Sequence, residues 1–137
     1  MKKIILFLSI TIMAITSGFS QSTSSKEQNN KKSTEITFVK TTHDFGTIKF
    51  AGNGTYKFVF KNTGKEALII ERVKSTCGCT IPNWTREPIK KGEKGNIEVK
   101  YNTNIAGNFS KTVTVYSSAK NSPVKLTIKG LVQRREK

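Results

Sequence analysis

Thr55-Tyr56-Lys57-Phe58-Val59-Phe60-Lys61-Asn62 is the stretch that decides the fold. Tyr56, Phe58 and Phe60 occupy alternate positions with Lys57 and Lys61 between them, the two-residue period of a half-buried β-strand. Turn residues bound it on both sides, Gly52-Asn53-Gly54 before and Asn62-Thr63-Gly64-Lys65 after. The same period recurs outward along the chain. Ile97, Val99 and Tyr101 alternate with Glu98 and Lys100, and Val113 and Val115 alternate with Thr112, Thr114 and Tyr116. Val124, Leu126, Ile128 and Val132 follow the turn Asn121-Ser122-Pro123. Glu35 to Lys40, His43 to Ile48 and Ala67 to Lys74 supply three further runs, whereas Ile81 to Lys94 and Asn102 to Asn108 read as loops. No apolar stripe of helical spacing persists for three turns. About seven short strands separated by turns predict an all-β, antiparallel β-sandwich.

The N-terminal end has a different character. Met1-Lys2-Lys3 is cationic, Ile4 to Ile15 is almost wholly apolar, and Gly18-Phe19-Ser20 places small residues where a signal peptidase cuts. About 20 apolar residues are needed to cross a bilayer, so this run predicts a signal peptide cleaved after Ser20 in preference to a retained anchor. No other stretch is apolar enough to span, and no cysteine follows the run to carry a lipid. Gln21 to Thr34 has no apolar residue and is expected to be a disordered polar linker. The expected organisation is therefore signal peptide 1–20, linker 21–34, β-sandwich 35–133 and basic tail 134–137.

Lys and Arg number 24 against nine Asp and Glu, a formal charge of +15 that loss of Lys2 and Lys3 lowers by two. The lysines are scattered at alternate strand positions, which is first the signature of a solvated face. The sharper reading is attraction to an anionic lipid or polysaccharide of the cell envelope. Nucleic acid is disfavoured, because an exported chain seldom meets it and no recognition motif is present. The usual catalytic constellations are missing too. There is one histidine, no G-x-S-x-G nucleophile motif and no phosphate-binding glycine loop, and Glu87 and Glu93 have no evident partner. A non-enzymatic chain without a cofactor is expected.

His43-Asp44-Phe45-Gly46-Thr47-Ile48, Phe58 to Gly64 and Ser75-Thr76-Cys77-Gly78-Cys79-Thr80 stand in that order. Pro88-Ile89, Gly92-Glu93-Lys94-Gly95, the Ile97 to Tyr101 strand and Leu126 to Gly130 follow them. Over roughly Ile36 to Val132 this series resembles the bacterial family known as domain of unknown function 1573. That family is similar in layout to the immunoglobulin-like domains of major sperm protein and of ciliary and centrosomal scaffolds. The resemblance implies an immunoglobulin-like sandwich in an exported bacterial protein, periplasmic or associated with the cell surface. It also implies a binding or scaffolding module, and the basic surface adds the expectation of a protein or anionic envelope partner. No substrate comes with it.

Cys77 and Cys79 are the only cysteines, one glycine apart. Four readings stand side by side. The thiols pack as small hydrophobes at a strand end, with Gly78 permitting a tight bend. They form a disulfide, whose three-residue ring contributes only about 1.6 kcal/mol on the chain-entropy model, so that redox use would explain it better than stability. They bind Cu(I) or Zn(II), with His43 the one further soft ligand once Met1 and Met13 leave with the leader. Or they exchange disulfides with a partner. His43 reads first as a hydrogen-bonded structural residue. Trp84 reads as a cap on the core, with partner contact the alternative. Three N-x-S/T acceptor patterns, at Asn53, Asn83 and Asn108, are expected to be idle in a bacterium.

Overall fold

The computed structural model describes residues 34–134 and 136. The predicted signal peptide, the linker up to residue 33, and Arg135 and Lys137 of the tail lie outside them. Eight strands run in chain order: β1 (Ile36–Phe38), β2 (Thr42–Ile48), β3 (Thr55–Asn62), β4 (Ile70–Ser75), β5 (Thr80–Trp84), β6 (Lys94–Tyr101), β7 (Gly107–Ser117) and β8 (Val124–Val132). They form two four-stranded sheets, β1-β3-β6-β5 and β2-β8-β7-β4. The described residues are all-β, as the alternation predicts, and form an immunoglobulin-like sandwich, as the resemblance implies.

The opening octapeptide is β3. Phe58 and Phe60 are buried from solvent and point inward, while Lys57, Val59 and Lys61 point out. Its register against β6 sets Tyr56 opposite Val99 and Phe58 opposite Ile97. From the other sheet Val113, Val115, Leu126 and Ile128 close the core, all at most 1% exposed. Each such side chain contributes roughly 1.5–3 kcal/mol of burial, which is why the alternation and not any one strand sets the fold. The chain passes between sheets after β1. Val39 donates from its backbone N–H to Val59 (3.0 Å), and two residues later Thr41 accepts from Thr127 (2.8 Å).

Three expectations change. The eighth strand, β5, lies in the segment Ile81 to Lys94 that reads as a loop because of its prolines. β5 is a sheet edge, where only one side of the backbone needs ladder donors, so Pro82 opposite Val99 is tolerated. The sandwich is not wholly antiparallel, since β2 runs parallel to β8, with a register shift between Asp44 and Thr47 where Gly46 adopts φ 61°. Thr34, assigned to the linker, is 3% exposed; its hydroxyl donates to the Ser118 carbonyl (2.8 Å) and its own carbonyl accepts from Lys120 (2.9 Å). A small polar residue joins the fold because the backbone beside it offers partners.

Asn62 ends β3 fully buried. Its Nδ2 donates to the Glu66 carbonyl (2.7 Å) and the Ile89 carbonyl (2.9 Å), and its Oδ1 accepts from Gly64 N–H (3.0 Å). This side chain ties the β3–β4 turn to the isolated Leu68–Ile89 bridge. That closes one end of the sandwich and leaves the cysteines at the other.

Candidate functional site

β4 ends at Ser75 in one sheet and β5 starts at Thr80 in the other, so Thr76 to Cys79 form a corner between sheets. Backbone contacts fix that corner. Thr76 N–H donates to Thr112 (3.0 Å), Thr112 N–H donates back to the Thr76 hydroxyl (3.3 Å), and Asn102 N–H donates to the Cys79 carbonyl (2.8 Å). The Ser75 hydroxyl sits 2.6 Å from the Cys77 carbonyl and 2.8 Å from the Thr80 carbonyl, between two acceptors. Cys77 and Cys79 are bonded to each other with their Cα atoms 5.3 Å apart. Both are half-buried, and Cys79 packs against the core.

Thr80 is 2% exposed, with its hydroxyl 3.8 Å from Cys77 Sγ and 4.0 Å from Cys79 Sγ. A buried hydroxyl aimed at both sulfurs is a feature that the sequence motif hides. Gly78 has no positive φ, and a Cβ there would meet nothing within 4 Å. The bend therefore does not need glycine, which corrects the reason given above for Gly78.

The structure does not bring His43 to the sulfurs. β2 and β4 are opposite edges of one sheet, three strand spacings or about 14 Å apart. Instead His43 stacks face to face on Tyr56 (3.6 Å between centroids) and meets the edge of Phe45 at 4.4 Å. Burial, helped by the Lys40 ammonium, holds its imidazole below the ordinary value, and the Asp44 carboxylate opposes them. Asp44 is itself held low, first by the Gly46 N–H it accepts (2.8 Å) and then by Lys129, with desolvation opposing. His43 is a ring in an aromatic stack. No group of three His, Cys, Asp or Glu side chains is placed to hold a metal among the described residues.

Trp84 faces inward at the end of β5, half-buried against the core, and the Arg86 guanidinium lies 4.2 Å above its ring. Its Nε1 is buried without a hydrogen-bond partner among the described residues. Ile81 on the same edge strand points outward and is 65% exposed.

Sequence reading missed a surface that only register assembles. Across the outer face of β2-β8-β7-β4, Thr42 lies beside Thr127 and Thr127 beside Thr112, which contacts Thr76. This makes a row of threonines across β2, β8 and β7 that ends on Thr76, in the corner just after β4. In the adjacent row Thr114 stands between Lys125 on β8 and Lys74 on β4. Lys129 pairs with Asp44 (3.5 Å), and Arg72 lies 4.3 Å over the Tyr116 ring. The period-two patterns Lys125-Thr127-Lys129 and Thr112-Thr114-Tyr116 were visible, but not that they are neighbours. The cations stand on β8 and β4, two strand spacings or about 10 Å apart, with the hydroxyls of β7 between them.

Two four-stranded sheets, with the chain passing from one to the other after β1, make an immunoglobulin-like sandwich. A family described as "Protein of unknown function (DUF1573)" matches residues 36–132, and the chain belongs to that family. A protein of unknown function from Porphyromonas gingivalis W83 has a similar structure, with TM-score 0.61 at 12% identity over 72% of this chain and 46% of that one. The ASH/PapD-like domain 7 of human CEP192 has TM-score 0.60 at 9% identity over 77% of this chain and 88% of that one. The secreted serine protease VesC of Vibrio cholerae has TM-score 0.54 at 14% identity over 71% of this chain and 23% of that one. The chain thus spans less than half of the Porphyromonas protein and less than a quarter of the protease. At such identities these likenesses show the fold alone. No curated protein is close enough in sequence to count as a relative. No helix among the described residues is long and apolar enough to cross a membrane.

Proposed function

We propose that this chain is an exported, non-enzymatic binding module of the bacterial cell envelope, which takes an anionic polysaccharide on the outer face of β2-β8-β7-β4. The observation that carries this reading is the arrangement of Arg72, Lys74, Lys125 and Lys129 around the threonine row, with Asp44 the one carboxylate paired into it among the described residues. Ammonium groups supply charge and threonine hydroxyls supply directional hydrogen bonds, the pair of functions a charged sugar polymer needs. A bilayer is the weaker partner, because among the described residues Leu131 is the one exposed large hydrophobic on these four strands, with Ile69 just before β4. The single histidine, stacked on Tyr56, supports a non-catalytic role.

The test is salt-graded retention on an immobilised anionic glycan, with heparin as the probe and anionic phospholipid vesicles in a parallel arm. Lys74→Glu with Lys125→Glu should abolish retention. Lys57→Glu with Lys100→Glu, the same charge change on the opposite sheet, should leave most of it. Equal losses from the two pairs would reduce the effect to bulk charge and defeat the assignment of a face. Binding to vesicles but not glycan would move the partner to lipid.

A further inference from the structure

We propose that the Cys77–Cys79 bond is a thiol–disulfide exchange site that accepts electrons from an accessible dithiol of a partner protein, with the Thr80 hydroxyl stabilising each departing sulfur. The inference stands apart from the polysaccharide reading and rests on the corner alone. Its first support is that the corner does not depend on the bond. Thr76, Cys79 and Ser75 are held by hydrogen bonds to Thr112, Asn102 and the Cys77 and Thr80 carbonyls, none of which uses a sulfur. Opening the bond therefore leaves a preformed dithiol, and a three-residue ring is too small to be a useful staple. The second support is Thr80. A buried hydroxyl within 4.0 Å of both sulfurs has little to gain from a neutral disulfide, a weak acceptor, and much to gain from a thiolate.

The step balances as follows. A partner thiolate attacks Cys77 Sγ, the sulfur less engaged with the core; the S–S bond breaks and Cys79 leaves as a thiolate beside the Thr80 hydroxyl. The partner's second thiolate then attacks its own sulfur in the mixed disulfide, and Cys77 leaves as a thiolate beside the same hydroxyl. The partner dithiol is oxidised to a disulfide, and the chain takes up two electrons and, from solvent, two protons. A partner disulfide drives the same steps backwards.

Dithiothreitol, glutathione disulfide and mass spectrometry on the purified protein test this. Wild type should lose its disulfide to dithiothreitol under native conditions while circular dichroism and the melting transition persist. Cys79→Ser should take up one glutathione from glutathione disulfide, faster than Cys77→Ser does. Thr80→Val should slow reduction by about three- to tenfold, the part of a charge-assisted hydrogen bond that a leaving thiolate feels at the transition state. Thr80→Ser, which keeps the hydroxyl, should restore the rate. Reduction only on unfolding, or a Thr80→Val rate equal to that of folded wild type, would overturn the proposal.

Discussion

Replacing Asn62 by alanine is the sharpest test of how this sandwich is closed. The side chain is wholly buried and uses both amide donors and its acceptor on the backbone. Alanine leaves the Gly64 N–H without a partner in buried surroundings, strips the Ile89 carbonyl of one of its two donors while Leu68 N–H (2.8 Å) remains, and leaves the Glu66 carbonyl in a half-buried setting that water can in part repair. The one buried orphan costs about 1–3 kcal/mol and each of the other two lost hydrogen bonds about 0.5–1.5 kcal/mol, so the expected loss is roughly 2–5 kcal/mol. A domain of this size carries about 5–15 kcal/mol in all and shifts its melting point by about 4–8 °C per kcal/mol. Asn62→Ala should therefore melt at least about 8 °C lower by that conversion, with an unchanged urea m-value.

Asn62→Asp adds a pH signature. A carboxylate facing two carbonyls and deprived of water is disfavoured, so the introduced group has a folded pKa above its unfolded value of about 3.9. Its contribution is then fully present below about pH 4 and is lost as pH rises through the folded value, because the native state holds the proton longer. Urea melts of the two variants from acid to neutral pH read both effects. A loss below about 1 kcal/mol for Asn62→Ala, or no widening gap with pH for Asn62→Asp, would refute the claim that these three hydrogen bonds hold that end together.

Three further outcomes follow from particular contacts. Gly95→Ala puts a Cβ 2.5 Å from the Phe60 ring and 2.9 Å from Ile89, and should cost about 1–3 kcal/mol in urea unfolding; Gly78→Ala meets nothing and should stay within about 0.5 kcal/mol with the disulfide intact by mass spectrometry. Trp84→Phe removes a buried N–H that has no partner among the described residues and should change stability by less than about 1 kcal/mol, whereas Trp84→Ala should cost about 2 kcal/mol or more; a large loss for phenylalanine would mean that Nε1 is bonded. In an NMR titration, Lys40→Gln should raise the His43 midpoint and Asp44→Asn should lower it. Because the folded value lies below the unfolded one, the His43 contribution to stability is present above about pH 6.5 and is lost as pH falls through the folded midpoint.

Alternation made the interior strands legible. The faces of β3, β6, β7 and β8 follow from which residues are apolar, since one face of each must be buried whatever its neighbour. What failed were positions where a neighbour overrides the local signal. Pro82 argued for a loop until the edge position of β5 removed the need for its N–H. Asn62 looked like a turn residue because asparagine usually is one; its burial depends on the carbonyl of Ile89, 27 residues away. Thr34 looked like linker until the Ser118 backbone satisfied it. In each case the deciding partner is remote in sequence, and a single chain read locally carries no record of it.

The same asymmetry governs the sites. Cys77-Gly78-Cys79 was conspicuous as a motif, but its chemistry turns on Thr80, an ordinary residue whose hydroxyl matters only because the corner buries it beside two sulfurs. The basic face was invisible as a unit. Lys74, Thr114 and Lys125 become one row only through two separate strand pairings. Net charge could say that an anion would be attracted, but only register says where charge and hydroxyl coincide. The two sites also differ in what would remove them. Charge reversal at Lys74 and Lys125 touches no sulfur, and Thr80→Val changes no charge. The polysaccharide reading and the exchange reading can therefore fail independently, and a variant that disturbs both would indicate a damaged β4–β5 corner rather than a lost function.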